Sequence, residues 1–135
     1  MTLTYAAEDA VSVEEFIDVL KRSGLDARRP VDAPDIIQGM VENADLTVTA
    51  RDEAGQLVGV ARSITDFAYC CYLSDLAVDR DCQRQGIGQE LIRRTKDAAG
   101  GDKIALLLLS APDGMEYYPK IGLENFYNCF GIRRT

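Results

Sequence analysis

The sequence predicts an α+β fold in which a mixed, mostly antiparallel sheet contains one βαβ crossover and is flanked by helices. Three observations predict it: a helical pattern near the start of the chain, extended segments joined by turns in the middle, and a strand, a helix and a strand in succession over residues 67–109. The chain has 135 residues, 47% of them hydrophobic and 27% charged. This is the size and composition of one globular domain over residues 1–135.

The N-terminal third is predicted to contain an edge strand and two helices. Residues 3–6 form a short apolar segment that suits an edge strand. Ser12 and Glu15 form a capping box ahead of apolar residues at helical spacing, which predicts a helix over residues 13–23 that ends at a glycine. Asp32 and Pro34 mark the start of a second helix, whose apolar stripe lies within residues 36–41, ahead of Asn43.

The next part of the chain is predicted to form a three-stranded antiparallel meander. Residues 46–50 are strand-like, residues 52–55 have the composition of a turn, and residues 56–62 suit the returning strand. A second turn at residues 65–66 precedes an extended run over residues 67–78 that is rich in tyrosine, cysteine and leucine.

Beyond the meander the periodicity becomes helical. An apolar helical stripe covers residues 86–99 and ends at a glycine pair. The continuous apolar run over residues 104–109 predicts a strand buried on both faces by helices, parallel to the last strand of the meander through a right-handed crossover. Residues 113–120 suit only a short helix, and residues 123–135 are predicted to form one or two short strands.

Composition excludes several classes of function. Without histidine the chain has neither Ser-His-Asp nor Cys-His catalysis nor a His-containing metal site, and we predict no metal. The net charge of −7 disfavours nucleic acid and anionic membranes as partners and is compatible with amine substrates. No apolar run is long enough to span a bilayer. With no signal peptide ahead of them and no C-x-x-C spacing, the cysteines predict reduced thiols and a cytoplasmic location. They are Cys70, Cys71, Cys82 and Cys129.

Residues 76–89 carry the most informative pattern: a strand end, a polar loop with two glycines, and then a helix. Unpaired N–H groups and the helix dipole make a helix N-terminus favourable for phosphate, and Arg84 adds a positive charge. A G-x-x-x-x-G-K-[ST] loop is absent, and a dinucleotide fingerprint fails because Leu91 stands where the third glycine is required. A tight turn ahead of a helix is the alternative interpretation of Gly86 and Gly88.

Two motifs in this region resemble a known family. Gln83-x-x-Gly86-x-Gly88, directly after a Leu-Ala-Val strand end, resembles the [QR]-x-x-G-x-[GA] signature of the GNAT acyltransferase superfamily. Downstream, residues 117–123 (YYPKIGL) are similar to the aromatic-Tyr-x-x-x-Gly-Phe segment of that family, with Leu123 in place of Phe. The predicted order of helices and strands is also similar to the GNAT fold.

The resemblance implies an N-acetyltransferase that binds acetyl-CoA and transfers its acetyl group to a primary amine by direct attack in a ternary complex. In the family the two parallel strands splay apart, and the cofactor inserts where their ladder opens, here between residues 77–78 and 109–110. Tyr118 matches the general acid that protonates the departing CoA thiolate. The matching cofactor-binding positions are Leu76, Ala77, Val78, Gln83, Arg84, Gln85, Gly86, Ile87, Gly88, Gln89 and Ser110.

The acceptor side departs from the family pattern. The family's general base lies on the strand face that carries Tyr72 and Ser74 here, and neither is a carboxylate or a histidine. Asp75 has the opposite strand parity, so it either faces the other side of the sheet or is re-aimed by a β-bulge. We therefore leave the base unassigned and name these three residues as substrate-side candidates. Ser110 stands near the position where family members often have asparagine, which suggests that this contact is missing.

Several alternatives stay open from the sequence. A non-catalytic acyl-CoA-binding sensor or regulatory module would keep the loop without turnover. The acceptor is either a small-molecule amine or a peptide amine. A homodimer is the alternative to a monomer, because the tail is apolar enough either to pair with a second copy or to close the core. The apolar tail residues are Phe126, Tyr127, Phe130 and Ile132.

Overall fold

One five-stranded mixed sheet organises the structure, a computed structural model that describes residues 2–135. The strands lie in chain order, the first three pairings are antiparallel, and the fourth is parallel. They are β1 (Thr4–Ala7), β2 (Leu46–Arg51), β3 (Leu57–Thr65), β4 (Cys70–Val78) and β5 (Ala105–Leu107). The helices are α1 (Val13–Ser23), α2 (Pro34–Glu42), α3 (Ile87–Ala99) and α4 (Tyr117–Lys120). The predicted fold class is confirmed.

Local signals define α1 as predicted. The Ser12 hydroxyl accepts from the Glu15 amide at 3.1 Å, and the Glu15 carboxylate accepts from the Ser12 amide at 2.8 Å, which completes the capping box. The helix ends where Gly24 adopts a left-handed conformation, with φ of +85°. Helix α2 begins with its proline in the first turn, where a missing N–H costs nothing.

Helices cover both faces of the sheet. Helices α1 and α2 bury one apolar cluster, which includes Phe16 and Ile37, against β3 and the end of β4. Helix α3 buries the other cluster, which includes Leu91 and Leu73, against β2, β3 and β4. Within residues 2–135, no helix combines the length and apolar composition needed to cross a bilayer.

A β-bulge interrupts β4. Arg62 on β3 pairs with Asp75, but the next residue of β3, Ser63, pairs with Leu73, so Ser74 is an extra residue in β4. The extra residue inverts the alternation, and Asp75 therefore points to the face covered by α1 and α2. The sequence left two possibilities for Asp75: that it faces the other side of the sheet from Tyr72, or that a β-bulge re-aims it. The structure contains the bulge.

The parallel pairing of β4 with β5 is short. It joins Cys70 to Ala105, Cys71 to Leu106 and Tyr72 to Leu107, and it goes no further. The remaining residues of β4 have no partner in β5, and side chains reach some of their backbone groups, since Arg29 donates to the Ser74 carbonyl and Gln83 to the Val78 carbonyl. The ladder is thus open between the C-terminal halves of the two segments, where the predicted gap lies.

Two sequence predictions are wrong. Residues 104–109 do not form a strand buried on both faces: β5 has three residues, and Leu107 is 42% exposed. One face of the run packs against the core through Leu106 and Leu108, whereas Leu107 and Leu109 on the other face are exposed at the edge of the sheet. Residues 123–135 contain no strand, and Tyr127 is 96% exposed. Their apolar residues do not alternate, since Phe126 and Tyr127 are adjacent, so no sheet-facing side is defined.

Candidate functional site

The loop between β4 and α3 is anchored at its first residue. The Asp79 amide donates to the Val58 carbonyl at 2.8 Å, and the Asp79 carboxylate accepts from the Asp81 amide at 2.9 Å and from the Arg22 guanidinium at 2.6 Å. Arg22 also donates to the Leu57 carbonyl at 2.6 Å. Burial opposes ionisation of this carboxyl, but the Asp81 amide and the Arg22 charge outweigh it and lower the pKa of Asp79. The loop is therefore fixed to both α1 and β3.

The rest of the loop turns through two left-handed residues into α3. Arg84 has φ of +66° and Gly86 has φ of +80°. The Gln83 side-chain amide donates to the Val78 carbonyl at 3.1 Å, which closes the loop back onto the end of β4. Gly86 occupies the N-cap position, no side chain caps the helix, and nothing lies within 4 Å of the point where a Cβ would be. The N-cap position is thus open and no side chain caps the first N–H groups of α3, as an anion-binding helix terminus requires.

A groove continues from this helix end. It has a volume of about 440 Å³, and its lining includes Gly86, Gln89, Ile121 and Leu123. It joins the first turn of α3 to the residues that follow α4, so one extended molecule can contact both motifs.

Helix α4 carries two adjacent tyrosines, and the hydroxyl of Tyr117 lies near Gly88 in the first turn of α3. Their rings meet edge to face, with centroids 5.2 Å apart. Tyr118 packs against the α3 core cluster, and Gly114 gives it room, because a Cβ there would lie 2.9 Å from Cε2 of Tyr118. Burial raises the pKa of Tyr118, and the neighbouring Tyr117 raises it further. The Tyr118 phenol is therefore protonated at neutral pH and able to donate a proton. Ser110 lies near the same glycine and donates to the carbonyl of Ala111 at 2.7 Å.

On the other strand face, two arginines hold the bulge of β4. The carboxylate of Asp75, which is 0% exposed, accepts from Nε of Arg29 through one oxygen and from Nε of Arg62 through the other. Arg29 also donates to the Ser74 carbonyl at 2.8 Å, and Arg62 donates to the Ser74 hydroxyl at 3.1 Å. Tyr72 lies on the same face and is partly exposed. The three substrate-side candidates therefore lie together, but the arginines engage both oxygens of the only carboxylate.

The end of β4, the loop and the first turn of α3 are consecutive in the chain and lie beyond the end of the β4–β5 pairing. Tyr117 approaches this turn at Gly88, and Tyr118 packs against the core cluster of α3. Sequence reasoning missed Arg22, Arg29 and Arg62, which fix this region from α1, from the segment before α2 and from β3. No local pattern marks them, since each is far in the chain from its partner. Residues 2–135 contain no cluster of three or more His, Cys, Asp or Glu that could hold a metal ion.

Solved structures share this architecture. A GNAT family acetyltransferase from Streptococcus pneumoniae is 20% identical, with a TM-score of 0.74 over 99% of this chain and 98% of that one. An aminoglycoside acetyltransferase from an uncultured soil sample, in complex with sisomicin, is 18% identical, with a TM-score of 0.71 over 98% and 95%. A ribosomal-protein-alanine N-acetyltransferase from Brucella melitensis is 20% identical, with a TM-score of 0.72 over 98% and 100%. At these identities the likeness shows the fold.

Sequence comparison identifies the family directly. No curated protein matches the chain. The family described as acetyltransferase (GNAT) domain matches residues 14–129, which contain the loop, the bulge and both tyrosines. With this match over most of its length, the chain belongs to the GNAT acetyltransferase family.

Proposed function

We propose that the protein transfers an acetyl group from acetyl-CoA to a primary amine, by direct attack of the amine in a ternary complex. The observation that carries the proposal is the continuity of the site: the edge of β4 beyond its pairing with β5 leads through the loop to a helix N-terminus that no side chain caps, with open space at Gly86. An extended ligand with an amide-containing arm and a diphosphate has complementary groups at both places.

The donor contacts follow from this geometry. Backbone groups of Leu76, Ala77 and Val78 hydrogen-bond the arm of the donor where β5 no longer pairs. The N–H groups of the loop and the first turn of α3 hold the diphosphate, and Arg84 adds charge to it. Ser110 borders the arm from the other side of the opening. The loop and helix residues of this proposal are Gln83, Arg84, Gln85, Gly86, Ile87, Gly88 and Gln89.

The chemistry needs one proton donor at the leaving sulfur. Acetyl-CoA supplies the thioester carbon that the amine nitrogen attacks and the thiolate that leaves when the C–S bond breaks. Tyr118 donates its phenolic proton to that thiolate. Burial raises the pKa of the phenol, so it holds its proton at neutral pH, and the transfer depends on the sulfur lying within hydrogen-bond distance of the hydroxyl.

The acceptor amine enters on the face of Tyr72 and Ser74. Both side chains are polar and lie beside the end of the β4–β5 pairing, so they can contact the amine or a water that removes its proton. We give Asp75 a positioning role, because its oxygens are bonded to arginines. The acceptor is a small-molecule or peptide amine; the structural neighbours include acetyltransferases named for both kinds. We also propose a cytoplasmic location, and a homodimer stays open.

A non-catalytic acyl-CoA sensor is the second candidate. One observation favours it: within residues 2–135, β4 carries a single carboxylate, and both of its oxygens are engaged by arginines. A module of this kind would bind acetyl-CoA without releasing the thiol in the presence of amines.

Calorimetric titration with acetyl-CoA tests the donor site, and a thiol-release assay over a panel of amines separates the two candidates. Gly86→Glu should abolish binding, because it places a carboxylate in the phosphate position. Gly55→Glu is a matched control, since Gly55 has φ of +84° and open space around it but lies in the β2–β3 turn. Saturable binding that only Gly86→Glu removes supports the site. Absence of binding to the unmodified protein would contradict it.

A further inference from the structure

The hydroxyl of Tyr117 lies over the first turn of α3. A Cβ placed on Gly88 would be 3.1 Å from this oxygen and 3.9 Å from the ring carbon that bears it. Gly88 has no side chain, so the phenol approaches the helix backbone closely. The hydroxyl therefore lies at the same helix terminus where we place the diphosphate of the donor.

The ring of Tyr117 is held by packing, and its hydroxyl remains available. The ring meets that of Tyr118 edge to face, at an interplanar angle of 69°. Burial alone raises the pKa of Tyr117, with no hydrogen bond contributing to the shift. A phenol has one O–H donor and acceptor lone pairs, and Tyr117 is 39% exposed, so its hydroxyl is accessible to a ligand bound at the first turn of α3.

We propose that Tyr117 is a donor-binding residue whose hydroxyl donates a hydrogen bond to a phosphate oxygen of the acyl-CoA at the N-terminus of α3. The inference rests on the proposed function and divides the work of the two tyrosines. Tyr117 holds the diphosphate, and Tyr118 protonates the leaving thiolate. Phosphate is the natural acceptor at this position, because the unpaired N–H groups and the helix dipole already favour an anion there.

The test compares Tyr117→Phe with the unmodified protein for two donors. Removing a hydrogen bond to a charged group should weaken acetyl-CoA binding about tenfold, with kcat at saturating donor unchanged. S-acetylpantetheine has the same thioester and arm but no diphosphate, so kcat/KM for this donor should be the same in both proteins. Tyr127→Phe, at a tyrosine that is 96% exposed, controls for loss of a phenol elsewhere. Unchanged thermal melting would show that the ring packing is preserved.

Each other outcome has a separate meaning. Equal acetyl-CoA affinity for Tyr117→Phe and the unmodified protein would overturn the inference and leave the proposed function intact. An equal loss with both donors would also overturn it, because the effect would then be independent of phosphate. A fall in kcat at constant affinity would reverse the roles of the two tyrosines. If the unmodified protein did not bind acetyl-CoA, the proposed function itself would fail.

Discussion

At the scale of single residues, the two tyrosines of α4 and the carboxylate of β4 have roles that the geometry separates. Tyr118 is partly buried against the α3 core cluster, with a raised pKa, whereas Asp75 is fully buried with both oxygens on arginine. The first group can give up a proton to a ligand. The second is fixed in the sheet and can act only through the shape of the bulge.

Replacement of Tyr118 by phenylalanine should lower kcat about 100-fold while the affinity for acetyl-CoA changes less than about twofold, because the variant keeps the ring and loses only the proton donor. Steady-state kinetics with one good acceptor, together with calorimetry, measure both quantities. Tyr117→Phe is the matched control, with the opposite expected pattern. A Tyr118→Phe variant with full kcat would show that another group protonates the thiolate.

Asp75→Asn should destabilise the fold by about 3 kcal/mol, because it leaves the guanidinium of Arg62 without a countercharge in a buried position. Urea denaturation measures the loss. Glu90→Gln is the control: Glu90 pairs with Arg93 and Arg94 on the exposed face of α3, and such pairs contribute less than about 1 kcal/mol. Equal losses in the two variants would mean that the bulge does not depend on its ion pairs.

At the scale of elements, the sequence predicts what local signals determine. The capping box, the glycine ends and the apolar stripes locate α1, α2 and α3, and strand-like composition and turns locate the first four strands. The burial of β5 and the strands of the tail were predicted wrongly. Whether these apolar segments are buried or paired depends on which helices and strands lie beside them, and the composition of the segments does not determine that. The bulge arises because β4 has one extra residue, Ser74, in its pairing with β3. The alternation of side chains along β4 alone does not show where such a residue lies. The motifs located the loop and helix of the candidate site, whereas its arginine contacts join residues distant in sequence.

The capping box gives a prediction at this scale. Ser12→Ala removes the acceptor for the Glu15 amide and should lower the free energy of unfolding by about 1 kcal/mol. Ser12→Asp keeps an acceptor at the N-cap and should stay within a few tenths of a kcal/mol of the unmodified protein. Urea denaturation compares the three proteins. Equal stability of Ser12→Ala and Ser12→Asp would show that tertiary packing alone holds the start of α1.

At the scale of the whole molecule, ion pairs tie the N-terminal elements together in a chain that carries a net charge of −7. Arg51 on β2 donates to Glu8 at 2.8 Å and to Glu15 of α1 at 2.8 Å. The hydrogen bonds from Arg51 are the largest influence on both carboxyls and lower the pKa of Glu8 and of Glu15. Burial raises the pKa of the thiols of Cys71 and Cys82. The chain has no histidine.

These shifts predict a flat stability profile across neutral pH with a fall on either side. The lowered carboxyl pKa values stabilise the fold above about pH 5, and this stabilisation is lost as pH falls through the unfolded value of about 4.3 towards the folded ones. The raised thiol pKa values act in the opposite direction, since above about pH 8.5 the unfolded chain loses thiol protons that the folded chain retains. No side chain with an ordinary pKa titrates between these limits without histidine.

The urea midpoint should therefore be constant from about pH 5.5 to 7.5 and fall below pH 5 and above pH 8.5. Arg51→Met removes the shared partner of Glu8 and Glu15. Its urea midpoint should therefore fall less steeply below pH 5 (the acid limb) and should fall above pH 8.5 (the alkaline limb) as in the unmodified protein. Cys71→Ala should reduce the alkaline limb and leave the acid limb as it is. A slope centred near pH 6.5 in the unmodified protein would contradict the argument, because it would require a strongly shifted carboxyl or thiol outside the groups named here. The contact of α1 with the β1–β2 edge therefore contributes to the acid-side loss together with other carboxyls of lowered pKa, such as Asp79, and the buried thiols contribute to the alkaline-side loss.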